Sequence, residues 1–244
     1  MKLHVLGCGD AFGSGGRNQS AYLVQASDRL FLLDCGATAL LTMKKLGFDS
    51  GHLDVIFLSH LHGDHFGGLP FFFIEYLYEN VREKPLHVAG PVGTEEKVRG
   101  LFDLMYGRGT KAGDLTTTCF HVLEPGRTST IQGIKVFPFR VPHQVNEVSL
   151  ALKINYNGKH ILFSGDSAWT DAFLEHAPGV DLFICECTYY DRETSNHMSY
   201  LQLRERVPKL GCPRIILTHM GSDMLTRSAE ISCTMAADGM VVEI

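Results

Sequence analysis

The stretch SHLHGDHFGG, residues 59–68, sets His60, His62, Asp64 and His65 within six positions. Imidazole nitrogens and carboxylate oxygens are ligands of zinc and similar cations. His60 and His62 are two apart, so in extended backbone their side chains leave on the same side. Asp64 and His65 follow at a turn and can face an adjoining position. A polar loop with incidental histidines is the competing account, but three of the chain's 12 histidines fall in this one turn. A site of that size needs further ligands, and the chain offers them where hydrophobic runs stop: His143 in VPHQVNE, Asp166 in FSGDS and His219 in LTHMG. A lone histidine in such a place is more often a satisfied structural residue. Three such residues beside the first cluster shift that balance toward a shared metal site.

Rigid strands must aim these side chains. LHVLG (3–7), AYLVQ (21–25) and LFLLD (30–34) read as short strands punctuated by Gly, Ser and Asn. Residues 37–46 carry helical spacing and stop at Gly47, a C-cap residue. DVIFLSH (54–60) has the continuous apolar run of a central strand covered on both faces. The spacing predicts helices over 69–80 and 94–106, with the strand LHVAG (86–90) between them. TCFHVL, IKVFPF, LALKINY and KHILFS then read as a meander of strands. After them come a helix near 170–176, the strand DLFICE (181–186), a helix near 199–209, the strand RIILTH (214–219) and a helix near 223–236. DVIFLSH echoes RIILTHM, and LFLLDCG echoes ILFSGDS, which suggests two β-then-α halves. Two facing sheets with helices outside fit this order. No linker divides the chain, which reads as one domain over 1–244, with GRGTKAGD (107–114) as a surface loop.

With 244 residues, 45% of them apolar, the chain can bury a large core. Lys plus Arg is 22 and Asp plus Glu is 27, a net charge of −5 that repels nucleic-acid backbones on average. The longest apolar run, Phe71-Phe72-Phe73-Ile74, stops at Glu75, and MKLHVLGCGD lacks a secretory core. The expectation is a cytoplasmic protein with no membrane partner. Seven thinly spread cysteines argue against a disulfide framework. Cys185 and Cys187 read as a buried strand with one thiol inward and one outward, rather than as a metal knuckle. Phe71, Phe72, Phe73, Tyr76 and Tyr78 read first as core; a pocket wall or a homodimer contact are the alternatives.

HLHGDH resembles the HxHxDH signature of the metallo-β-lactamase fold, and His143, Asp166 and His219 follow in that family's order. The likeness covers essentially the whole chain. It is nearest to the ribonuclease Z group and its phosphodiesterase relatives, through LGCGDAFGSGGRNQS (6–20) and SHLHGDHFGGLP. The resemblance implies an α/β (α+β) chain folded as a four-layer αββα sandwich, with its site along the sheet edge. It implies two divalent cations per chain, zinc first, with manganese or iron as alternatives. His60, His62 and His143 would hold one ion, Asp64, His65 and His219 the other, and Asp166 would bridge them. Two such ions lower the pKa of a water between them and clamp attacking and leaving oxygens. A histidine at position 62, where the flavo-diiron oxidoreductases of this fold carry an acid, favours hydrolysis over electron transfer. Asp34, in LLDCG, matches the family's early aspartate; it would orient a ligand histidine or hold the Gly36 turn, or both.

In the same group a His-Glu-Ala-Thr stretch precedes a later histidine followed by Ser or Thr. Glu186, Thr188 and His197 in CECTYYDRETSNHMS fit that pattern, while Cys185 and Cys187 depart from it. His197 would assist the leaving oxygen and Glu186 would hold its ring; a bystander beside the helix start near Ser199 is the bland account. The tRNA processors of the group carry an inserted arm. No long basic insertion is found here, and 79–114 mixes both charges. The expectation is a metal-dependent hydrolase of small phosphodiesters, with Asp64 and His197 as catalytic residues. The alternatives are a carboxylic ester, lactone or thioester hydrolase, a tRNA 3′-processing endonuclease, and a non-catalytic small-molecule carrier.

Overall fold

The computed structural model describes residues 1–107 and 118–244, and its two sheets have seven strands each. The first holds β1 (Lys2–Gly7), β2 (Ala21–Gln25), β3 (Leu30–Leu33), β4 (Val55–Phe57), β5 (Leu86–Gly90) and β6 (Thr118–Val122) side by side in that order. The second runs β7 (Ser129–Ile131), β8 (Ile134–Arg140), β9 (Leu150–Tyr156), β10 (Lys159–Phe163), β11 (Leu182–Glu186), β12 (Ile215–Thr218) and β13 (Thr234–Met235). A last strand, β14 (Val241–Glu243), returns to the first sheet beside β1.

Side-chain alternation builds the layers. Leu3, Val5, Tyr22, Val24, Phe31, Leu33, Val55 and Phe57 face inward and meet Leu150, Leu152, Ile154, Ile161, Phe163 and Ile184 of the other sheet. Their neighbours Leu23, Leu32, Ile56 and Val88 face outward, beneath α1 (Ala39–Lys45), α3 (Leu69–Tyr78) and α4 (Thr94–Tyr106). The second sheet is covered in the same way by α5 (Ala172–His176), α6 (Tyr200–Arg204) and α7 (Ser222–Thr226). The short α2 (Gly63–Phe66) lies in the turn after β4. The result is the expected αββα sandwich. Phe57 is fully buried and meets Phe31 edge-on at 6.0 Å; truncating such a ring to Ala typically costs about 3–5 kcal/mol.

Four expectations need correction. TCFHV is not part of the second-sheet meander, because α4 carries the chain over to a parallel pairing of β6 with β5. Such crossovers keep successive parallel strands in one sheet. The helix near 223–236 stops at Thr226, and β13 pairs instead with the open edge of β12, Ile216 opposite Thr234. β7 and β14 were not foreseen; each is only three residues long. Cys185 and Cys187 are both buried in the same outer apolar layer, as residues two apart in extended backbone must be. Of the five aromatics read first as core, Phe72, Phe73 and Tyr76 are core residues, whereas Phe71 and Tyr78 are exposed. The Gly-rich loop lies, from Arg108 onward, outside the described residues. Among the described residues no helix is long and apolar enough to cross a membrane.

Because β3, β4, β10, β11 and β12 are mutually parallel within their sheets, their C-terminal ends share one edge of the sandwich. Three of them end in a left-handed residue: Asp34 at φ 56°, Gly165 at φ 56° and His219 at φ 55°. That region is costly for side-chain-bearing residues and turns each strand end sharply toward the cleft. At Gly165 there is no room for anything larger, since a Cβ would sit 2.7 Å from the Ser59 Cβ.

Candidate metal centre

The seven residues singled out from the sequence converge at this edge. His60, His62, His143 and Asp166 form one group of potential ligand atoms, and Asp64, His65, His219 and Asp166 form another. Within each, the atoms lie no more than 4.8 Å apart, and Asp166 belongs to both.

Hydrogen bonds at the far side of each ring assign the tautomers. Ser59 donates its hydroxyl to Asp34 Oδ2 at 2.8 Å, so its oxygen accepts from His60 Nδ1 at 3.0 Å. His143 Nδ1 donates to the Asn196 carbonyl at 2.9 Å. The Nε2 atoms of both rings therefore carry lone pairs, and His62 Nδ1 lies 3.1 and 3.0 Å from them. Three ring nitrogens aimed at one point suit a cation. Burial pushes His60 well below the usual imidazole range, lowers His62 and brings His143 to about 4, which keeps all three neutral and able to ligate.

The second group is more charged. His65 Nδ1 donates to Asp34 Oδ2 at 2.6 Å, while its buried Nε2 has no hydrogen-bond partner among the described residues and sits 3.2 Å from both Asp64 Oδ2 and Asp166 Oδ1. A buried nitrogen without a hydrogen-bond partner, set between two carboxylates, suits a cation ligand. His219 Nδ1 donates to Thr188 Oγ1 at 3.0 Å, and that hydroxyl donates to the His219 carbonyl at 3.0 Å. Burial opposes charge on His65 and His219, but Asp166, with Asp34 for one and Asp64 for the other, outweighs it and raises both. Burial likewise opposes the Asp64 carboxylate, yet the hydrogen bonds of His219 and His65 hold it far below its usual range.

Asp34 braces the His65 ring, but the Gly36 turn is held without its carboxylate, since the Gly36 amide donates to the Ser20 carbonyl at 2.9 Å. Asp34 is fully buried, binds His65, and takes the Ser59 amide at 2.7 Å as well as the Ser59 hydroxyl. Asp34 with His60 and His65, and Glu186 with His197 and His219, also lie close enough to hold an ion. In both cases the Nδ1 atom facing the carboxylate is already a hydrogen-bond donor, so these are supporting contacts.

His197 stacks on His219, ring centroids 5.6 Å apart, and meets His143 edge-on at 4.9 Å. Its Nδ1 makes a short hydrogen bond to Glu186 Oε1, whose other oxygen accepts the Met198 amide at 2.8 Å. Burial works against a charged His197, but Glu186 outweighs it and raises the ring above its ordinary pKa. Sequence reasoning missed the roles of Ser59, Thr188 and the Asn196 carbonyl. Ser59 adjoins His60, and Thr188 stands two residues past Glu186, but nothing in sequence marks a backbone carbonyl.

Two facing mixed sheets, helices on both outer faces and this cluster at the sheet edge define a chain of the metallo-β-lactamase fold, among the metallo-hydrolases. The chain belongs to the family described as Anti-Pycsar protein Apyc1, whose profile matches residues 1–238. It is 26% identical over 225 residues to the "Probable metallo-hydrolase YhfI" of Bacillus subtilis (strain 168), covering 90% of this chain and 87% of that protein. The crystal structure of YhfI superposes with a TM-score of 0.79 at 23% identity, over 99% of both chains. A ribonuclease Z of Methanosarcina acetivorans is 26% identical over 269 residues, 91% of this chain and 88% of that one. The short form of human tRNase Z shares the fold, with a TM-score of 0.78 and 24% identity over 100% of this chain and 99% of that chain.

Proposed function

We propose that the chain hydrolyses small phosphodiesters with two divalent cations, zinc first. His60, His62 and His143 would hold one ion and Asp64, His65 and His219 the other, with Asp166 available to both. The observation that carries this reading is the carboxylate of Asp166, shared by two converging ligand groups. Such a pair would supply Lewis acidity, activating water and neutralising phosphoryl oxygens. Asp64 accepts a hydrogen bond from the attacking water and orients it. His197 stands beside both groups with its Nδ1–H held by Glu186, and its Nε2–H gives a proton to the departing oxygen.

A ribonuclease Z among the relatives supports phosphodiester chemistry, and the acidic balance supports a small substrate over folded RNA. The test is hydrolysis of bis-(4-nitrophenyl) phosphate against a lactone, a thioester and precursor tRNA. Diester cleavage above the other three is expected. Robust lactone or thioester cleavage without diester cleavage contradicts the reading, and much faster trimming of precursor tRNA contradicts the choice of small substrates.

A further inference from the structure

Among the described residues, three hydrogen-bond contacts join the ring nitrogens of two histidines. Two of them are the contacts of His62 with His60 and with His143, in the first ligand group. The third joins His87 Nδ1 to His121 Nε2 at 2.8 Å, with the rings stacked at 5.1 Å between centroids and 20° between planes. This pair lies toward the opposite edge of the sandwich. The His87 amide donates to the Asp54 carbonyl, just before β4, whereas His60 follows the end of that strand.

The backbone fixes the pair. β5 and β6 are parallel with Ala89 opposite His121, so His87 and His121 leave the same face of the sheet on neighbouring strands. On the second sheet, the two-residue turn Gln132-Gly133 joins β7 to β8, both residues left-handed at φ 51° and 82°. Glutamine is an unusual choice there, since a short Asn, Asp or Gly is favoured. Arg29 holds the Gln132 carbonyl at 3.0 Å, and the longer side-chain amide reaches His87 Nε2 at 2.6 Å. Donation from the amide nitrogen places the His87 proton on Nδ1, facing His121. A half-turn of that amide leaves its outline unchanged and offers the oxygen instead. His87 then carries its proton on Nε2, and the lone pairs of its Nδ1 and of His121 Nε2 face one another. The rings of His60 and His143 follow the same pattern, their outer Nδ1 atoms donating to oxygens. Burial lowers both His87 and His121 below the usual imidazole range, and His121 lowers His87 further, so both are uncharged at neutral pH. Neither ring is fully enclosed, which leaves a way in for an ion.

We infer that His87 and His121 form a separate cation site, braced by Gln132, that takes a tetragonal divalent ion of the nickel and copper class. Zinc sites use three or four protein ligands, which this pair does not supply, whereas nickel(II) and copper(II) accept two imidazoles with water in the remaining positions. His87 and His121 belong to the first sheet and Gln132 to the hairpin of the second. An ion held there ties the two sheets together beside their edge strands, β6 and β7.

The probe is nickel(II) chloride, which leaves free thiols unoxidised, added to tag-free, zinc-loaded protein. Calorimetry, elemental analysis and anomalous diffraction at the nickel edge are the readouts. One equivalent of nickel should bind with zinc content unchanged, and its peak should lie between His87 Nδ1 and His121 Nε2. Free nickel about a hundredfold above its Kd should raise Tm by roughly 5–10 °C. His87→Ala and His121→Ala should each abolish both the nickel equivalent and the gain in Tm, while their unchanged zinc content shows them folded. Should an alanine variant unfold, His121→Gln, which keeps a hydrogen-bond partner for His87, should lose nickel in the same way. Gln132→Ala should keep the site but weaken it by ~10–100-fold, as loss of an outer partner does. Nickel that binds only by displacing zinc overturns the inference, as does an unaltered protein that takes up none. An equivalent retained in His121→Ala, as it would be at His4 or His52, overturns it too. Each of these outcomes leaves the diester reading as it stands.

Discussion

The two ligand groups at the sheet edge differ in how they are built. The group of His60, His62 and His143 is made of neutral imidazoles, and its two outer bonds go to a serine hydroxyl and a backbone carbonyl. The group of Asp64, His65 and His219 carries its own carboxylate, and a second buried carboxylate, Asp34, braces one of its rings. His62 is also more open to solvent than any other ring of the two groups. The first group thus depends on convergence of lone pairs and the second on compensation of charge. Asp166 is the one element common to both.

The largest effect should come from removing what they share. Asp166→Ala is expected to lower metal content in both positions together and to abolish activity, as read by elemental analysis and diester hydrolysis. Retention of one full ion would show that the positions are independent. Next in size is His197→Ala, which should slow diesters with alkoxide leaving groups by ~10²–10⁴-fold, and nitrophenyl diesters much less, with metal content unchanged. Equal losses would assign His197 to binding phosphoryl oxygens instead.

The outer partners should then separate the two groups. Asp34→Asn leaves His65 without its carboxylate and should weaken metal affinity in the second group by ~10–100-fold. Thr188→Val removes only a hydroxyl from His219, and its effect should be smaller. A larger loss from Thr188→Val would reverse the view that charge dominates this group. The smallest change expected is a shift in pH dependence. Glu186 raises His197, so the protonated ring persists to higher pH and is lost as pH climbs through that raised value. Glu186→Gln should therefore move the alkaline limb for alkyl diesters to lower pH. A limb that stays in place would mean another group titrates there.

The same contrast explains what could be read without coordinates. HLHGDH is legible because the chain itself brings four ligands together. His143, Asp166 and His219 are legible because apolar runs end at each of them. Ser59, Thr188 and the Asn196 carbonyl act through contacts that only folding creates, across as many as 53 residues in the case of Asn196 and His143. TCFHV looked like its neighbours in sequence, and only the α4 crossover assigns it to the first sheet. The stretch 227–236 carried enough helical spacing to mislead, yet an open strand edge at β12 captured it. Local pattern set the element types, whereas tertiary openings decided these two.

The central claim is one pair of ions joined by one carboxylate. Crystals of zinc-loaded protein, with anomalous diffraction at the metal edge, test it most directly. The account predicts two peaks per chain, one among His60, His62 and His143, the other among Asp64, His65 and His219, with Asp166 touching both. A single fully occupied peak after saturation, or an ion seated between Glu186 and His197, would contradict it.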